Sequence, residues 1–443
     1  MLAKNGIRHF SRGKQKRMGS GEAMKLSRWI GTFVACLLAA PAVWAQSGWS
    51  VGKPEYPPFL DQTLSKVVTR SDLENEIQAK LERVHQFLEQ QKLGAVLLTQ
   101  GCNIDWITGG LADGHVVLAS GLGAVSLLIT ADGGRYVLGD HHEVARVVNE
   151  DLPGLGFQAR SYSWYEDKTL PDRKLQTLGE FARGREIGTD VPYANLRRID
   201  ALFAPLRYQL SEPEIAKYRW LGHNTAEAVV EVCKTVQPGM TERQIAALAS
   251  SALMRRGILP TVLLIGVDDR IFTYFHHLPT DLPLRKYAVV NVCARKWGLI
   301  VSVARFAHFG PLPADLAMCQ NAAEKISAEY EAHTIPGVKA GEMLEMAKKW
   351  FPENGFPGHW QDHHQGGAIG YLEREWIATP GSKEVIHDHQ AFAWNPIIQG
   401  ALSFDTIIAY KNDIENISAT DDWPTVNVKI NGKLYPMPEI LIR

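Results

Sequence analysis

The part of the chain richest in groups able to do acid/base chemistry spans residues 362–376 and reads DHHQGGAIGYLEREW. Glycine pairs let a backbone approach a ligand closely, and imidazole gives or takes a proton near neutral pH. We therefore predict that this glycine-containing loop lines a site; a solvated surface turn is the alternative interpretation. The titratable side chains it offers are His363, His364, Glu373, Arg374 and Glu375.

The elements that must position this stretch come from an internal repeat. Residues 238–258 and 336–356 share one layout: Pro-Gly, a short spacer, a helical pattern of about fifteen residues, then Gly and an apolar residue. Each copy follows a long amphipathic helix, the first capped by Ser211. Each also precedes strand-like sequence, at 287–303 after the first copy and at 391–396 and 401–409 after the second. The repeat predicts a duplicated α-α-β-β unit, with a site at the seam between the two copies.

A smaller α/β pattern precedes the repeat. The spacing Ser71-Asp72-Leu73-Glu74 is typical of a capped helix, which the apolar periodicity extends to Leu88. The strands that we predict for this part lie near 94–98, 116–118, 125–129, 136–138 and 187–188. Turn residues separate them, so residues 71–205 are expected to form one α/β domain.

The composition is that of a globular protein, with 45% apolar and 21% charged residues in 443. The beginning of the sequence indicates that it is exported. Residues 1–45 carry eight basic side chains and one acidic, and a twelve-residue apolar run precedes small residues at Val43 and Ala45. We interpret them as an export signal cleaved near Ala45, which predicts a periplasmic or secreted protein without membrane contact after cleavage; an uncleaved anchor is the alternative.

The remaining 39 basic and 47 acidic residues give no support for nucleic-acid binding. The cysteines beyond the signal are widely spaced, and we expect free thiols.

The order of motifs resembles the pita-bread superfamily of Xaa-Pro aminopeptidases, prolidases and creatinase, over about residues 71–425. The motifs are an Asn103-x-x-Trp106-x-Thr108-Gly109 signature, the LSEPEI helix start, His276 with its PTDLPL tail, and the VVNVCAR, HHQGG, AFAWNP and SFDT segments. The resemblance implies a linker at 46–70 and a creatinase-type N-terminal α/β domain at 71–205. It also implies an α+β pita-bread domain with a pseudo-two-fold duplication at 206–443, and a homodimer.

Family peptidases hold two divalent metals with two Asp, one His and two Glu, and such a pair generates hydroxide and stabilises developing charge. The resemblance places these five ligand positions on residues that are not the family's ligands. Amide and hydroxyl oxygens replace carboxylates that such metals prefer, so we expect no metal and no other cofactor. The residues at the five positions are Asn291, Ser302, Gly367, Asn395 and Phe404.

The resemblance also assigns a role to His276. It falls on a histidine that contacts substrate in family peptidases and is the proton-transfer base in creatinase, which uses no metal. Arg374 falls where another peptidase histidine is common, and a guanidinium can hold a substrate carboxylate through two hydrogen bonds. The predicted catalytic residues are His276, Arg374, His363 and His364. The predicted substrate-binding residues are Asn291, Ser302, Tyr371, Glu373, Trp376 and Asn395.

Three functions remain open from the sequence. The first is a metal-independent, creatinase-like hydrolase or lyase for a C–N bond in a small amino-acid-like, guanidino or peptide-like substrate. The second is a non-catalytic protein that binds a peptide or other ligand in the old substrate cleft. The third is a metallopeptidase whose metal has moved to histidines that include His387 and His389.

Overall fold

The structure is a computed structural model that describes residues 61–169 and 173–443. The predicted export signal, and residues 46–60 of the predicted linker, lie outside the described residues. The described residues form one compact unit. Among them, no helix combines the length and apolar character that a membrane crossing requires.

The first half of the described chain is an α/β domain. Its helices are α1 (Leu64–Val67), α2 (Arg70–Gln91), α3 (Gly101–Ile107), α4 (His141–Arg146) with a π-helical continuation (Val147–Asp151), α5 (Glu166–Thr169), α6 (Arg173–Ala182) and α7 (Asp200–Phe203) with a 3-10 turn (Ala204–Arg207). Its strands are β1 (Ala95–Gln100), β2 (Leu122–Thr130), β3 (Arg135–Asp140), β4 (Gln158–Tyr162), β5 (Ile187–Thr189) and β6 (Arg197–Arg198). In this described part they form one sheet in the order β4-β3-β2-β1-β5-β6.

Two predictions for this domain are wrong in detail. Thr69, not Ser71, caps α2, because its hydroxyl accepts the backbone N–H of Asp72 while the Asp72 carboxylate accepts the Thr69 N–H. The apolar residues 116–118 form no strand, and Val116, Val117 and Leu118 are all exposed. Apolar character alone therefore does not define a strand here, since these residues have no partner strand to pair with.

The second half carries the duplicated unit. Its helices are α8 (Glu212–Thr235), α9 (Glu242–Met254), α10 (Asp269–Thr273), α11 (Ala314–His333) and α12 (Ala340–Glu353), with a 3-10 turn (His359–Gln361). Its strands are β7 (Leu259–Val267), β8 (Tyr287–Lys296), β9 (Leu299–His308), β10 (Gly366–Ile369), β11 (Trp376–Ile377), β12 (Gln390–Trp394), β13 (Ile407–Tyr410), β14 (Asp413–Asn416), β15 (Thr425–Ile430), β16 (Lys433–Pro438) and β17 (Leu441–Ile442). In the described residues the orders are β17-β9-β8-β7, β11-β10-β12-β13-β14 and the hairpin β15-β16.

The repeat is confirmed at the level of elements. A long helix and a shorter one precede β7–β9, and another such pair precedes β10–β14. Ser211 and Glu214 form the capping box that starts α8, as predicted. The two sheets meet where the backbone N–H of Ala304 donates to the carbonyl of Phe404 at 3.1 Å.

Two predictions about strands need correction. Residues 287–303 are not one strand: the chain reverses at Trp297-Gly298, so β8 and β9 form a hairpin in which Cys293 pairs with Ser302. The Gly366-Gly367 pair is not a loop either, since both glycines lie in β10 beside Trp394 and Ala393. A side chain at position 367 would meet the carbonyl oxygen of Trp376 at 2.3 Å, so only glycine fits this strand.

Buried charges join the two halves of the chain. The Lys80 ammonium of α2 lies 2.5 Å from the Glu76 carboxylate and 2.8 Å from that of Glu214, at the start of α8. Lys217 lies 3.1 Å from Glu76. The side chains of these four residues are completely buried. We call this group the junction network.

Candidate functional site

The predicted catalytic residues come from separate segments of the second half, and we call the place where they meet the cleft. His276 follows α10, His363 and His364 precede β10, and Arg374 lies between β10 and β11. Asn395 directly follows β12, the strand paired with β10. The paired strands thus bring residues that are far apart in sequence to one edge of the sheet.

A histidine pair forms one side of the cleft. Nδ1 of His363 donates to the backbone carbonyl of His364 at 2.7 Å, which leaves Nε2 of His363 without its proton in the neutral ring. That Nε2 lies 3.3 Å from Nε2 of His276. The arrangement fits His363 as proton acceptor and His276 as proton donor, so one proton can be shared between the two rings.

The surroundings favour the neutral forms of His363 and His364. Burial, followed by the neighbouring His276 and Arg374, lowers the pKa of His363, although its hydrogen bond to His364 opposes the shift. Desolvation, then the charges of His363, Arg374 and His276, lowers the pKa of His364 to about 3, although that residue as a whole is exposed. A neutral imidazole is the form that accepts a proton.

Arg374 forms the other side of the cleft. Its Nη1 donates to the carbonyl of Glu373 at 2.6 Å and its Nη2 to Oδ1 of Asn395 at 3.4 Å. Its Nε is shielded from solvent and has no hydrogen-bond partner in the described residues, and no carboxylate of these residues pairs with the guanidinium. Burial lowers the pKa of Arg374. A partly buried guanidinium without an acid is a site for an external anion.

Asn395 connects the two sides. Its Nδ2 lies 3.5 Å from Nδ1 of His363. Since that Nδ1 already donates its proton to His364, the amide N–H of Asn395 is available to a ligand. His276, His363, Asn395 and Arg374 therefore form a continuous line of polar atoms with contacts of 3.3, 3.5 and 3.4 Å.

Behind this line lie Cys293 and Ser302, on β8 and β9. The Cys293 thiol is 3.1 Å from the Ser302 hydroxyl, and Ser302 is also tied through its backbone to the Thr406 hydroxyl at 2.9 Å. Burial raises the pKa of the Cys293 thiol, with Ser302 and Arg374 opposing the shift. The thiol is therefore a neutral part of the cleft floor.

These residues do not fit a pair of divalent metals. None of the five positions that the resemblance assigns to metal ligands carries a carboxylate, and Phe404 offers no ligand atom. The Arg374 cation lies against one of these positions, Asn395. Dications bound by amide and hydroxyl oxygens beside a guanidinium would lack the negative charge that such sites need.

Three of the predicted substrate contacts are buried side chains. Ser302 is completely buried and Trp376 packs against Phe392 in the core. Tyr371 is also buried, and its hydroxyl donates to Glu214 of the junction network at 2.7 Å. All three side chains contact other parts of the protein, and their role in substrate binding stays a prediction.

The other predicted site residues lie elsewhere in the second half of the chain. Glu373 lines a separate cavity between the two halves of the chain. Asn291 stays a prediction: it is partly buried on β8, in line with Ala304 of β9. The predicted relocated metal site does not assemble, because the ring of His387 lies against Tyr208 and that of His389 against Tyr410.

Sequence reasoning missed one group altogether. Asp105, Asp113 and His115 are the one set of three or more His, Cys, Asp or Glu side chains in the described residues close enough to share a metal ion. The sequence offered a weak signal, since Asp105 is an acid inside the buried Asn-x-x-Trp-x-Thr-Gly signature. The described cysteines are free thiols, as predicted. Arg305 pairs with Asp405 at 2.9 Å.

Two protein families match this chain. Residues 80–220 match the Creatinase/Prolidase N-terminal domain, and residues 216–417 match metallopeptidase family M24. A similar curated protein is the Xaa-Pro dipeptidase of Pyrococcus horikoshii, which is 21% identical over 389 residues, covering 79% of this chain and 99% of the relative.

Solved structures are similar in fold. The dipeptidase PepE from Mycobacterium ulcerans superposes with a TM-score of 0.66 at 17% identity, covering 83% of this chain and 98% of its own. The prolidase from Pyrococcus horikoshii gives a TM-score of 0.64 at 18% identity, covering 77% of this chain and 99% of its own. Both domains of this chain thus have the architecture of these dipeptidases.

Proposed function

Since this chain belongs to the pita-bread family of Xaa-Pro aminopeptidases and prolidases, we propose that its cleft hydrolyses a C–N bond in a small, carboxylate-bearing, amino-acid-like substrate without a metal. The relatives that match it are dipeptidases and prolidases, which cleave peptide C–N bonds. We therefore propose cleavage of the same type of bond, with side chains in place of the two metals that family peptidases use.

The observation that carries the proposal is the Arg374 guanidinium, which is partly buried and forms no salt bridge with an acid among the described residues. Leaving a buried charge unpaired is costly, so a protein keeps one where a ligand supplies the opposite charge. A substrate carboxylate would accept from Arg374 and from the free amide N–H of Asn395. This pair of donors favours an amino-acid-like or peptide-like ligand over a neutral one.

The histidine pair would supply the acid/base chemistry. His363 accepts a proton from water at Nε2, and the resulting hydroxide attacks the carbon of the scissile C–N bond. His276 donates its Nε2 proton to the departing nitrogen. The proton taken up by His363 then passes to His276 across the 3.3 Å gap, which restores both rings.

Metal independence follows from the same residues. The cleft has a positive guanidinium and no carboxylate at the five positions that the resemblance assigns to metal ligands, so a dication would be repelled rather than held. The line of polar atoms, the lowered pKa of His363 and the anion site together support a cleft whose chemistry rests on side chains alone.

The test is hydrolysis by full-length protein that has been treated with a chelator and desalted. The substrates are Ala-Pro, creatine and a set of N-carbamoyl and N-amidino amino acids, with products measured by mass spectrometry. We expect turnover of at least one substrate, insensitive to chelation. General acid/base catalysis is worth roughly 100- to 10,000-fold, and His276→Gln should lose a factor in this range.

The matched control is His142→Gln, because His142 is an exposed histidine in the first half of the chain. That variant should keep full turnover. Turnover that disappears with the metal, or that His276→Gln leaves unchanged, would contradict the proposal. Binding of these compounds without any cleavage would contradict it as well.

A further inference from the structure

A second cavity lies between the two halves of the chain, apart from the cleft. Its volume is about 410 Å³, and it is lined from the first half by Asp105, His115 and Ser120 and from the second half by Thr261 and Arg295. Ligand cavities commonly measure about 300–1,000 Å³ and lie between domains. We call it the interdomain cavity.

Asp105 is the unusual group in its wall. The residue is 3% exposed, and its carboxyl forms no hydrogen bond or salt bridge with any described residue. Burial, followed by the nearby Asp113 carboxylate, raises the pKa of Asp105 well above its usual range, and Arg295 only partly opposes this. A buried carboxyl without a partner is a costly feature that a ligand with a positive charge would relieve.

Arg295 faces the same cavity with a donor to spare. Its Nη1 donates to Nε2 of His115 at 3.1 Å, and Nδ1 of that ring donates to Asp113 at 2.7 Å. Its Nη2 is shielded from solvent, has no hydrogen-bond partner in the described chain and lies 3.9 Å from the Asp113 carboxylate. The His115 contact fixes the guanidinium, so its free edge is held in place.

The fold maintains this arrangement through close backbone packing. The Trp297-Gly298 turn of the β8–β9 hairpin covers Asp105, and a side chain at Gly298 would meet the Cβ of Asp105 at 2.3 Å. A side chain at Gly101 would meet Nε2 of His115 at 2.0 Å. Glycine at position 298 therefore lets the two halves approach closely, and glycine at position 101 leaves room for the His115 ring within the first half.

We propose that the interdomain cavity binds an apolar α-amino acid in its zwitterionic form, with the ligand ammonium at Asp105 and the ligand carboxylate at Arg295. Asp105 is an acid and Arg295 a base, and the two are not paired with each other. Together they match the two opposite charges of one small molecule. Leu118, Leu259, Ile300 and Leu372 contribute the apolar wall. The site uses other charged groups than the cleft: in the described residues neither Asp105 nor Arg295 contacts His276, His363 or Arg374, and the two sites adjoin at Glu373, whose carbonyl accepts from Arg374.

A divalent cation is the competing occupant, since Asp105, Asp113 and His115 could share one. The structure favours the amino acid for two reasons. The lone pair of His115 Nε2 is already engaged by Arg295. The guanidinium would also lie against the metal, whereas it complements a carboxylate.

The test is calorimetric titration of the full-length, chelator-treated protein with L-leucine, 3-methylbutylamine and 4-methylpentanoate. The two analogues lack the carboxylate and the ammonium group of leucine. We expect binding of L-leucine alone. A hydrogen bond to a charged group is worth about 1.5–3 kcal/mol, or roughly 10- to 150-fold in Kd, so Asp105→Asn and Arg295→Met should each weaken binding by such a factor.

Two controls separate this site from the cleft and from general effects. Arg374→Met should leave L-leucine binding unchanged even if it destroys the activity proposed for the cleft. Asp281→Asn, at an exposed acid, should also leave it unchanged. The proposal is overturned if L-leucine does not bind, if 4-methylpentanoate binds equally well, or if Zn²⁺ binds in place of the amino acid and His115→Ala abolishes that binding.

Discussion

The junction network and the cleft treat buried charge in opposite ways. In the network, Lys80 contacts Glu76, Glu214, the carbonyl of Trp106 and the Tyr371 hydroxyl, so its ammonium is fully satisfied. In the cleft, Arg374 has a carbonyl and an amide oxygen but no acid, and its Nε has no partner in the described residues. Complete pairing marks charges that hold the two halves together, and incomplete pairing marks charges kept for a ligand.

The largest effect should follow from breaking the network. Lys80→Met leaves Glu214 buried without one of its cations, and removing one partner of a buried pair costs roughly 3–5 kcal/mol. Urea denaturation should show this loss in the free energy of unfolding. Lys66→Met, at an exposed lysine of α1, should change it little; equal stability of the two variants would mean that the network does not hold the halves together.

Two arginines of the second half allow the comparison to be made within one region. Arg305 is buried and pairs with Asp405 at 2.9 Å, so Arg305→Met should destabilise the protein by roughly 3–5 kcal/mol. Arg374→Met should cost little or no stability, because it strands no acid. It should instead raise KM for a carboxylate-bearing substrate by about 10- to 100-fold. Equal losses of stability in Arg305→Met and Arg374→Met would show that Arg374 is a structural charge and is not kept for a ligand.

Acid should weaken the network by protonating Glu214. The cations Lys80 and Lys217 outweigh the effect of burial and lower the pKa of Glu214 from 4.5 to about 2. A lowered carboxyl pKa contributes stability that is present above pH 4.5 and is lost as the pH falls toward 2. The stability difference between wild type and Glu214→Gln should therefore shrink as the pH falls below 4.5. A difference that stays constant into this range would argue against the ionised Glu214.

The smallest effect concerns the acid limb of the pH profile. Because burial, His276 and Arg374 lower the pKa of His363 from 6.5, its base form persists below that pH. The acid limb of the wild-type kcat/KM profile should thus lie below pH 6.5. Arg374→Met removes one of the lowering charges, so its acid limb should move to higher pH; no movement would place the titrating group elsewhere.

The sequence predicted elements whose signals are local. The capping box at Ser211 and Glu214 and the repeated helix pairs depend on neighbours in the chain, and the structure has them where expected. The predicted strand at 116–118 was wrong, because these residues have no partner strand. The prediction of one strand over 287–303 was wrong, because the chain turns at Trp297-Gly298. A non-glycine residue at positive φ, such as Trp297 at 52°, gives a weak turn signal.

Sites were harder to predict than elements. The family resemblance placed His276 and Arg374 at one cleft, and the structure adds the His276–His363 contact that no spacing could give. Tyr371 looked like a site residue because it follows the glycines, but its hydroxyl serves the junction network. Lys80 and Lys217 occupy helices where lysine normally faces water, so their burial becomes visible only once the two halves are packed together.

The measurement that tests this account most directly is the metal content of the purified protein after incubation with Mn²⁺, Co²⁺ and Zn²⁺ and desalting. A cleft without carboxylates and with an unpaired guanidinium predicts no stoichiometric metal, with substrate hydrolysis unchanged by the treatment. The metal-free account would be contradicted if wild type and the Asp105→Asn variant both retained about two metal equivalents, as dinuclear hydrolases do, and if the rate of hydrolysis depended on the metal.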